Sequence, residues 1–139
     1  MIRLRVPGAL KYRDLAVRAV AAACKLVGDG DPTGSGDREF IDQVVSAFGE
    51  AFNNTAIHSY AGRPIGDLDI EIEIGDAHIT IRMLDYGNSY DFLAVPTPDL
   101  DTLPESGMGL YIIRSFMDEV DYLPGAPNIL SMTKRVGAS

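Results

Sequence analysis

At 139 residues, with 46% hydrophobic and 23% charged side chains, the chain has the size and make-up of a soluble globular domain with a real core to bury. Twelve basic against 20 acidic side chains give a net charge of -8. With no basic cluster to concentrate on phosphates, direct nucleic-acid binding is not expected. No run approaches the roughly 18 apolar residues of a membrane span, and Met1-Ile2-Arg3-Leu4-Arg5 has no signal-peptide core, so a cytoplasmic location away from membranes is expected.

Ile2, Leu4 and Val6 alternate with Arg3 and Arg5 as in a strand with one buried face, ended by Pro7 and Gly8. Between residues 12 and 27, Leu15, Val20, Ala23 and Leu26 approximate a helical stripe closed by Gly28. Cys24 lies in this run; as the only cysteine it has no intrachain disulfide partner and reads as a small core residue. Residues 28–37, Gly-Asp-Gly-Asp-Pro-Thr-Gly-Ser-Gly-Asp, cannot continue a helix and read as a flexible connection. A longer helix is expected over residues 37–60, with Phe40, Val44, Phe48 and Phe52 as its apolar stripe and Ala61-Gly62-Arg63-Pro64 as its stop.

Leu68, Ile70, Ile72 and Ile74 then alternate with acidic residues, and Ile79, Ile81 and Met83 with polar ones, as two strands of a hairpin around Gly75-Asp76. Residues 86–106 are Pro-rich and without period; that is long for a plain connection, so the stretch is either functional or mobile. A short helix over 109–117 and strands over 120–123 and 129–134, joined by Pro-Gly-Ala-Pro-Asn, complete the chain. Without an internal repeat or linker, one domain over residues 1–139 is expected. Strands that neighbour each other in sequence, with helices in blocks, predict an α+β fold: a mixed or antiparallel sheet with helices on one face.

The long helix carries the most informative chemistry. Glu50, Asn54 and His58 recur every four residues, drifting only about 40° per step around a helix, so they share one face within reach of one ligand. A carboxylate and an amide oxygen are hard ligands suited to magnesium, which takes its remaining ligands from phosphates and water; a solvated polar face is the alternative. Asp85-Tyr86-Gly87 ends the second hairpin strand, where a carboxylate can accept from an exocyclic amine and glycine lets a flat ring approach the backbone, although most Asp-x-Gly strings are turns. Ser106-Gly107-Met108-Gly109-Leu110 opens a helix, where glycines let phosphate reach free N–H groups; alone it is a weak signal.

Together, Glu-x-x-x-Asn on a long helix, Asp-x-Gly after a hairpin and Gly-x-Gly before a helix resemble the ATP-binding boxes of the GHKL superfamily, the Bergerat fold of gyrase, Hsp90, histidine-kinase and MutL ATPase domains. Within it the chain is most similar to the anti-sigma-factor serine/threonine kinases, through residues 50–60, through Gly107-Met108-Gly109-Leu110 with Ser115-Phe116-Met117-Asp118-Glu119-Val120, and through Asn128-Ile129-Leu130-Ser131-Met132-Thr133-Lys134. The likeness spans nearly the whole chain and is loosest over residues 1–40.

The resemblance implies a two-layer ATPase sandwich and a set of roles. Asn54 would coordinate magnesium on the ATP phosphates, and Glu50 would be the general base for the attacking hydroxyl. Asp85 would bind the adenine amine and Gly87 would shape its pocket. Gly107 and Gly109 would line the triphosphate site, residues 86–106 would be the ATP lid, and His58 would make a structural hydrogen bond at the helix end. The implied partners are a sigma factor and a STAS-type anti-anti-sigma factor, whose Ser or Thr accepts phosphate. A homodimer is also suggested, for which the sequence holds no separate signal.

One departure stands out: the second glycine of an Asp-x-Gly-x-Gly box is Ser89 here, although the following Tyr90-Asp91 resembles a known variant. A non-catalytic nucleotide-binding module that sequesters a partner is therefore the alternative, favoured by Ser89 and opposed by Glu50, since binding alone needs no base. A detached histidine-kinase ATPase domain is less attractive, because no phosphoacceptor-histidine helix precedes the domain and both histidines, His58 and His78, fall inside it.

Overall fold

Period-two hydrophobicity builds the sheet. β1 (Ile2–Pro7), β2 (Asp67–Ile74), β3 (His78–Asp85), β4 (Glu119–Leu123) and β5 (Asn128–Arg135) form one five-stranded sheet in the order β1-β2-β3-β5-β4. Every pairing is antiparallel, which settles the expected choice between a mixed and an antiparallel sheet. The helices are α1 (Arg13–Cys24), which follows a 3-10 turn at Leu10–Tyr12, then α2 (Arg38–His58) and α3 (Met108–Phe116). This computed structural model describes residues 1–28, 38–89 and 108–137. Gly107, the lid expected over 86–106 from residue 90 onward, and the glycine-rich connection from residue 29 onward lie outside the described residues.

One face of the sheet is apolar and covered. Val6, Leu68, Ile70, Ile72, Ile79, Ile81, Met83, Leu130 and Met132 are buried in one cluster with helical Val20, Val44, Phe48, Phe52 and Ile113. The stripe expected on α2 is fully realised: Phe40, Val44, Phe48 and Phe52 are all buried. The stripe expected on α1 is realised in half: Val20 and Ala23 are buried, while Leu15 is 55% exposed and Leu26, past the end of the helix, 56%. Ala16 and Cys24 complete the buried face, whose small side chains let α1 approach its neighbours closely. Cys24 is a core residue as expected, and burial pushes its thiol up to about 12, away from thiolate chemistry.

The other face is polar and laced across strands. Arg3 pairs with Glu71 at 3.3 Å, Arg5 with Asp69 at 2.6 Å and Arg82 with Glu73 at 3.0 Å. Exposed pairs of this kind contribute little to stability, so the helical side supplies the core. The result is a two-layer α+β sandwich in which α2, embedded by its aromatic stripe, carries its polar face toward the end of the sheet where β3 finishes and β5 begins.

Candidate functional site

The site grows from α2. Burial of its aromatic stripe fixes the rotation of the helix, and Glu50, Asn54 and His58 emerge half-buried on another face. Among the described residues, no hydrogen bond engages the Glu50 carboxylate or the Asn54 amide, so both are available to a ligand. The start of α3 lies against them. A Cβ at Gly109 would sit 3.0 Å from Glu50 Oε2 and 3.5 Å from Asn54 Nδ2. Glycine is what lets the first turn of α3, with its free N–H groups and positive dipole end, come this close.

The opposite end of the α2 face meets Asp85. Asp85 is buried at the end of β3, and its Oδ1 accepts from Gly87 N at 3.1 Å and from Asn128 Nδ2 at 2.9 Å. Asn54, Thr55, His58 and Ser59 of α2 and the segment after it, with Asp85, Tyr122 and Leu130, wall a cavity of about 10 Å³. That is room for about one water.

Gly87 has a structural reason of its own: a Cβ there would collide with the Ser59 carbonyl. Glycine is required because the chain after β3 runs directly against the end of α2. There Asn88 N donates to Ser59 O at 2.6 Å and Asn88 Nδ2 donates to Ala61 O at 2.9 Å. These bonds satisfy carbonyls that a helix terminus otherwise leaves unpaired.

Tyr60 locks the same junction. Added Cβ atoms at Gly8, Gly66 and Gly87 would all fall within 2.8–2.9 Å of its ring. Its hydroxyl donates to Asp67 O at 2.5 Å and accepts from Tyr86 N at 3.1 Å, and burial raises its phenol above the ordinary range. The Tyr86 hydroxyl reaches the open face of the sheet and donates to Asp69 Oδ2 at 3.0 Å. Hydrogen bonding from Arg5 holds the Asp69 carboxyl below its usual range, and the bond to Asp69 raises Tyr86.

The fold therefore gathers Glu50, Asn54, Asp85, Gly87 and Gly109 around one face of α2, while Gly107 lies outside the described residues. Asn128, Tyr60 and Asn88 were missed as site residues. Asn128 follows Pro127 in a string that reads as a turn, and only its register opposite Asp85 exposes its role. The three glycines around Tyr60 are far apart in sequence, so no local pattern marks the socket. The Ser89 departure has a structural use, because its hydroxyl donates to Asn128 Oδ1 at 2.6 Å.

Known proteins resemble this chain in sequence and in fold. The serine-protein kinase RsbW of Staphylococcus aureus strain JH9 is 28% identical over 144 residues, covering 97% of this chain and 86% of that protein; the RsbW of strain Newman matches to the same extent. Among solved structures, the Acinetobacter baumannii histidine kinase AdeS superposes with a TM-score of 0.52 over 99% of this chain and 70% of that one. At 15% sequence identity that likeness speaks to the fold alone. The family profile described as a histidine kinase-like ATPase domain matches residues 15–134, nearly the whole chain, and the chain belongs to that family.

Proposed function

We propose that this chain is an ATP-dependent protein serine/threonine kinase acting as an anti-sigma factor. It binds a sigma factor and so blocks transcription, and by phosphorylating a STAS-type anti-anti-sigma factor it releases that antagonist from its complex with the kinase. The observation that carries the reading is the approach of Gly109 to Glu50 and Asn54, which joins the first turn of α3 to the carboxylate and amide of α2. The 28% identity to a serine-protein kinase over most of the chain supports the acceptor type.

Each residue then has a task. Asp85 accepts a hydrogen bond from the adenine amine, and the first turn of α3 receives the phosphates. Among the described residues no three His, Cys, Asp or Glu side chains gather as a cation cage. The donor set fits magnesium, which is commonly held by one or two protein oxygens with phosphate and water completing the shell, and the unengaged Asn54 amide oxygen is the protein ligand. When bound, magnesium neutralises phosphate charge and fixes phosphate oxygens for in-line attack. Glu50 takes the proton from the attacking Ser or Thr hydroxyl as its oxygen bonds to the γ-phosphorus and ADP leaves.

The alternative is a non-catalytic module that sequesters a partner; Ser89, which favours it, is hydrogen-bonded to Asn128, and Glu50 speaks for catalysis. A homodimer and a cytoplasmic setting belong to the proposal. No helix among the described residues is long and apolar enough to cross a membrane. The test begins with co-purification of native partners, followed by transfer from labelled ATP to the captured antagonist beside titrations with magnesium-ATP and sigma factor. ATP binding with transfer to Ser or Thr is expected. Binding of ATP and sigma without transfer would leave the sequestering module, and no ATP binding at millimolar concentration would remove the reading altogether.

A further inference from the structure

We propose that Asn128 and Ser89 act together as positioning residues that set the purine selectivity of the site by fixing the rotation of the Asp85 carboxylate. The inference rests on the adenine role of Asp85 given above and adds the residues that enforce it. Asn128 is completely buried at the first position of β5, in register with Asp85 at the last position of β3. Its Nδ2 donates to Asp85 Oδ1 at 2.9 Å, to Gly87 O at 3.1 Å and to Asn88 O at 3.2 Å. Its Oδ1 accepts from Ser89 Oγ at 2.6 Å and from Gly125 N at 2.9 Å.

These partners determine which way the amide faces. Gly125 N–H can only donate, while the groups around Nδ2 are a carboxylate and two carbonyls that can only accept, so a flipped amide would set oxygen against three oxygens. One side chain thus ties together Asp85, Gly87, Asn88 and Ser89, the whole segment leaving β3.

The consequence falls on Asp85. Among the described residues, both of its hydrogen-bond donors, Asn128 Nδ2 and Gly87 N, reach Oδ1. Oδ2 is left as the acceptor for the cavity that Asp85 walls with α2, Tyr122 and Leu130. A carboxylate held this way takes an exocyclic amine and rejects a carbonyl at the same position, because two facing acceptors leave each other unpaired. If the carboxylate is free to turn, that discrimination weakens. Ser89 belongs to the same device: a glycine at 89 would remove one of the two donors that hold Asn128 Oδ1. The serine is therefore matched to Asn128, and restoring glycine should harm the site.

The experiment measures calorimetric dissociation constants for magnesium-ATP and magnesium-inosine triphosphate, which differ at the amino position of the ring. Wild-type protein, Asn128→Asp and Ser89→Gly are compared, with thermal melts alongside. Wild type should prefer ATP. Asn128→Asp keeps size but turns the donor into an acceptor against Asp85, and should weaken ATP binding about tenfold or more while narrowing the ATP-to-inosine ratio. Ser89→Gly should narrow the ratio by about threefold, the weaker effect of losing one neutral donor. Ser89 is exposed, so that variant carries the test if Asn128→Asp fails to fold. A purely structural pair would weaken both nucleotides alike, so an unchanged ratio in folded variants, or tighter ATP binding by Ser89→Gly, overturns the inference. Wild type that binds ATP but accepts inosine triphosphate equally also overturns it, whereas wild type that binds neither removes the ATP reading beneath it.

Discussion

The two ends of the polar face of α2 are built in opposite ways. At the Asp85 end the chain after β3 is knitted to its surroundings: Asn128 bonds five groups, Asn88 caps α2, and Tyr60 fills a socket rimmed by three glycines. At the Glu50 end, the carboxylate and the Asn54 amide have no hydrogen bond among the described residues, and their neighbour is a glycine. A buried, fully satisfied network gives a fixed geometry, which recognition of a flat base requires. Groups left unpaired and half-exposed are ready for charged phosphates and a moving proton. In the proposed reading, base recognition and phosphate chemistry lie at opposite ends of one helix face, and substitutions at the two ends should fail differently.

The largest effect is expected at the open end. Glu50→Gln keeps size and polarity but cannot accept a proton, so phosphotransfer should fall by about two to four orders of magnitude. ATP affinity and melting temperature should change little, since no hydrogen bond within the described protein is lost. A mutant as fast as wild type would remove Glu50 from the role of base.

Two glycine-to-alanine changes sharpen the contrast. At Gly87 the obstructing atom is the Ser59 carbonyl, part of the backbone at the end of α2, so it cannot swing aside. Gly87→Ala should cost about 3 kcal/mol, at the upper end of overpacking penalties, seen as a lower denaturation midpoint with unchanged slope. At Gly109 the obstructing atom is the tip of the Glu50 side chain at 3.0 Å, which can give by a few tenths of an ångström. Alanine is also favoured over glycine inside a helix by about 1 kcal/mol. Gly109→Ala should therefore leave stability equal or slightly higher while slowing transfer about tenfold through a displaced carboxylate. Equal stability losses in the two variants would erase the distinction between the ends.

What could be read from sequence follows the same division. Glu50, Asn54 and Gly109 were legible because helical periodicity and glycine before a helix are local signals, and Asp85 because it ends an alternating strand. The strands and α2 were legible for the same reason, and α1 was legible in half: Val20 and Ala23 are buried, but Ala16 and Cys24 take the places read for Leu15 and Leu26. Asn128 and Tyr60 were not legible as site residues. Their roles depend on which strand lies beside β3 and on which distant glycines close around a ring. The contact of Gly87 with Ser59 was not legible either, since nothing local shows that the end of α2 passes over it.

The smallest effect belongs to the link between the site and the open face of the sheet. Asp69 joins Arg5 of β1 to the Tyr86 hydroxyl beside the Asp85 box, and hydrogen bonding from Arg5 lowers its carboxyl below the usual range. A carboxyl lowered in the folded state contributes stability that is complete above its unfolded value of about 4 and is lost as pH falls through the lowered folded value. Asp69→Asn removes that titration but keeps a side chain able to accept from Tyr86. Denaturation midpoints between about pH 5 and pH 2 should fall less steeply for Asp69→Asn than for wild type, with only a small offset at pH 7 because the pair is largely solvated. Inosine discrimination should be unchanged, because Asn128 and not Asp69 holds the Asp85 carboxylate. If Asp69→Asn narrowed the ATP-to-inosine ratio as much as Ser89→Gly, base recognition would extend through Tyr86 to the far side of the sheet. The tightly knit end would then be larger than the Asn128 network.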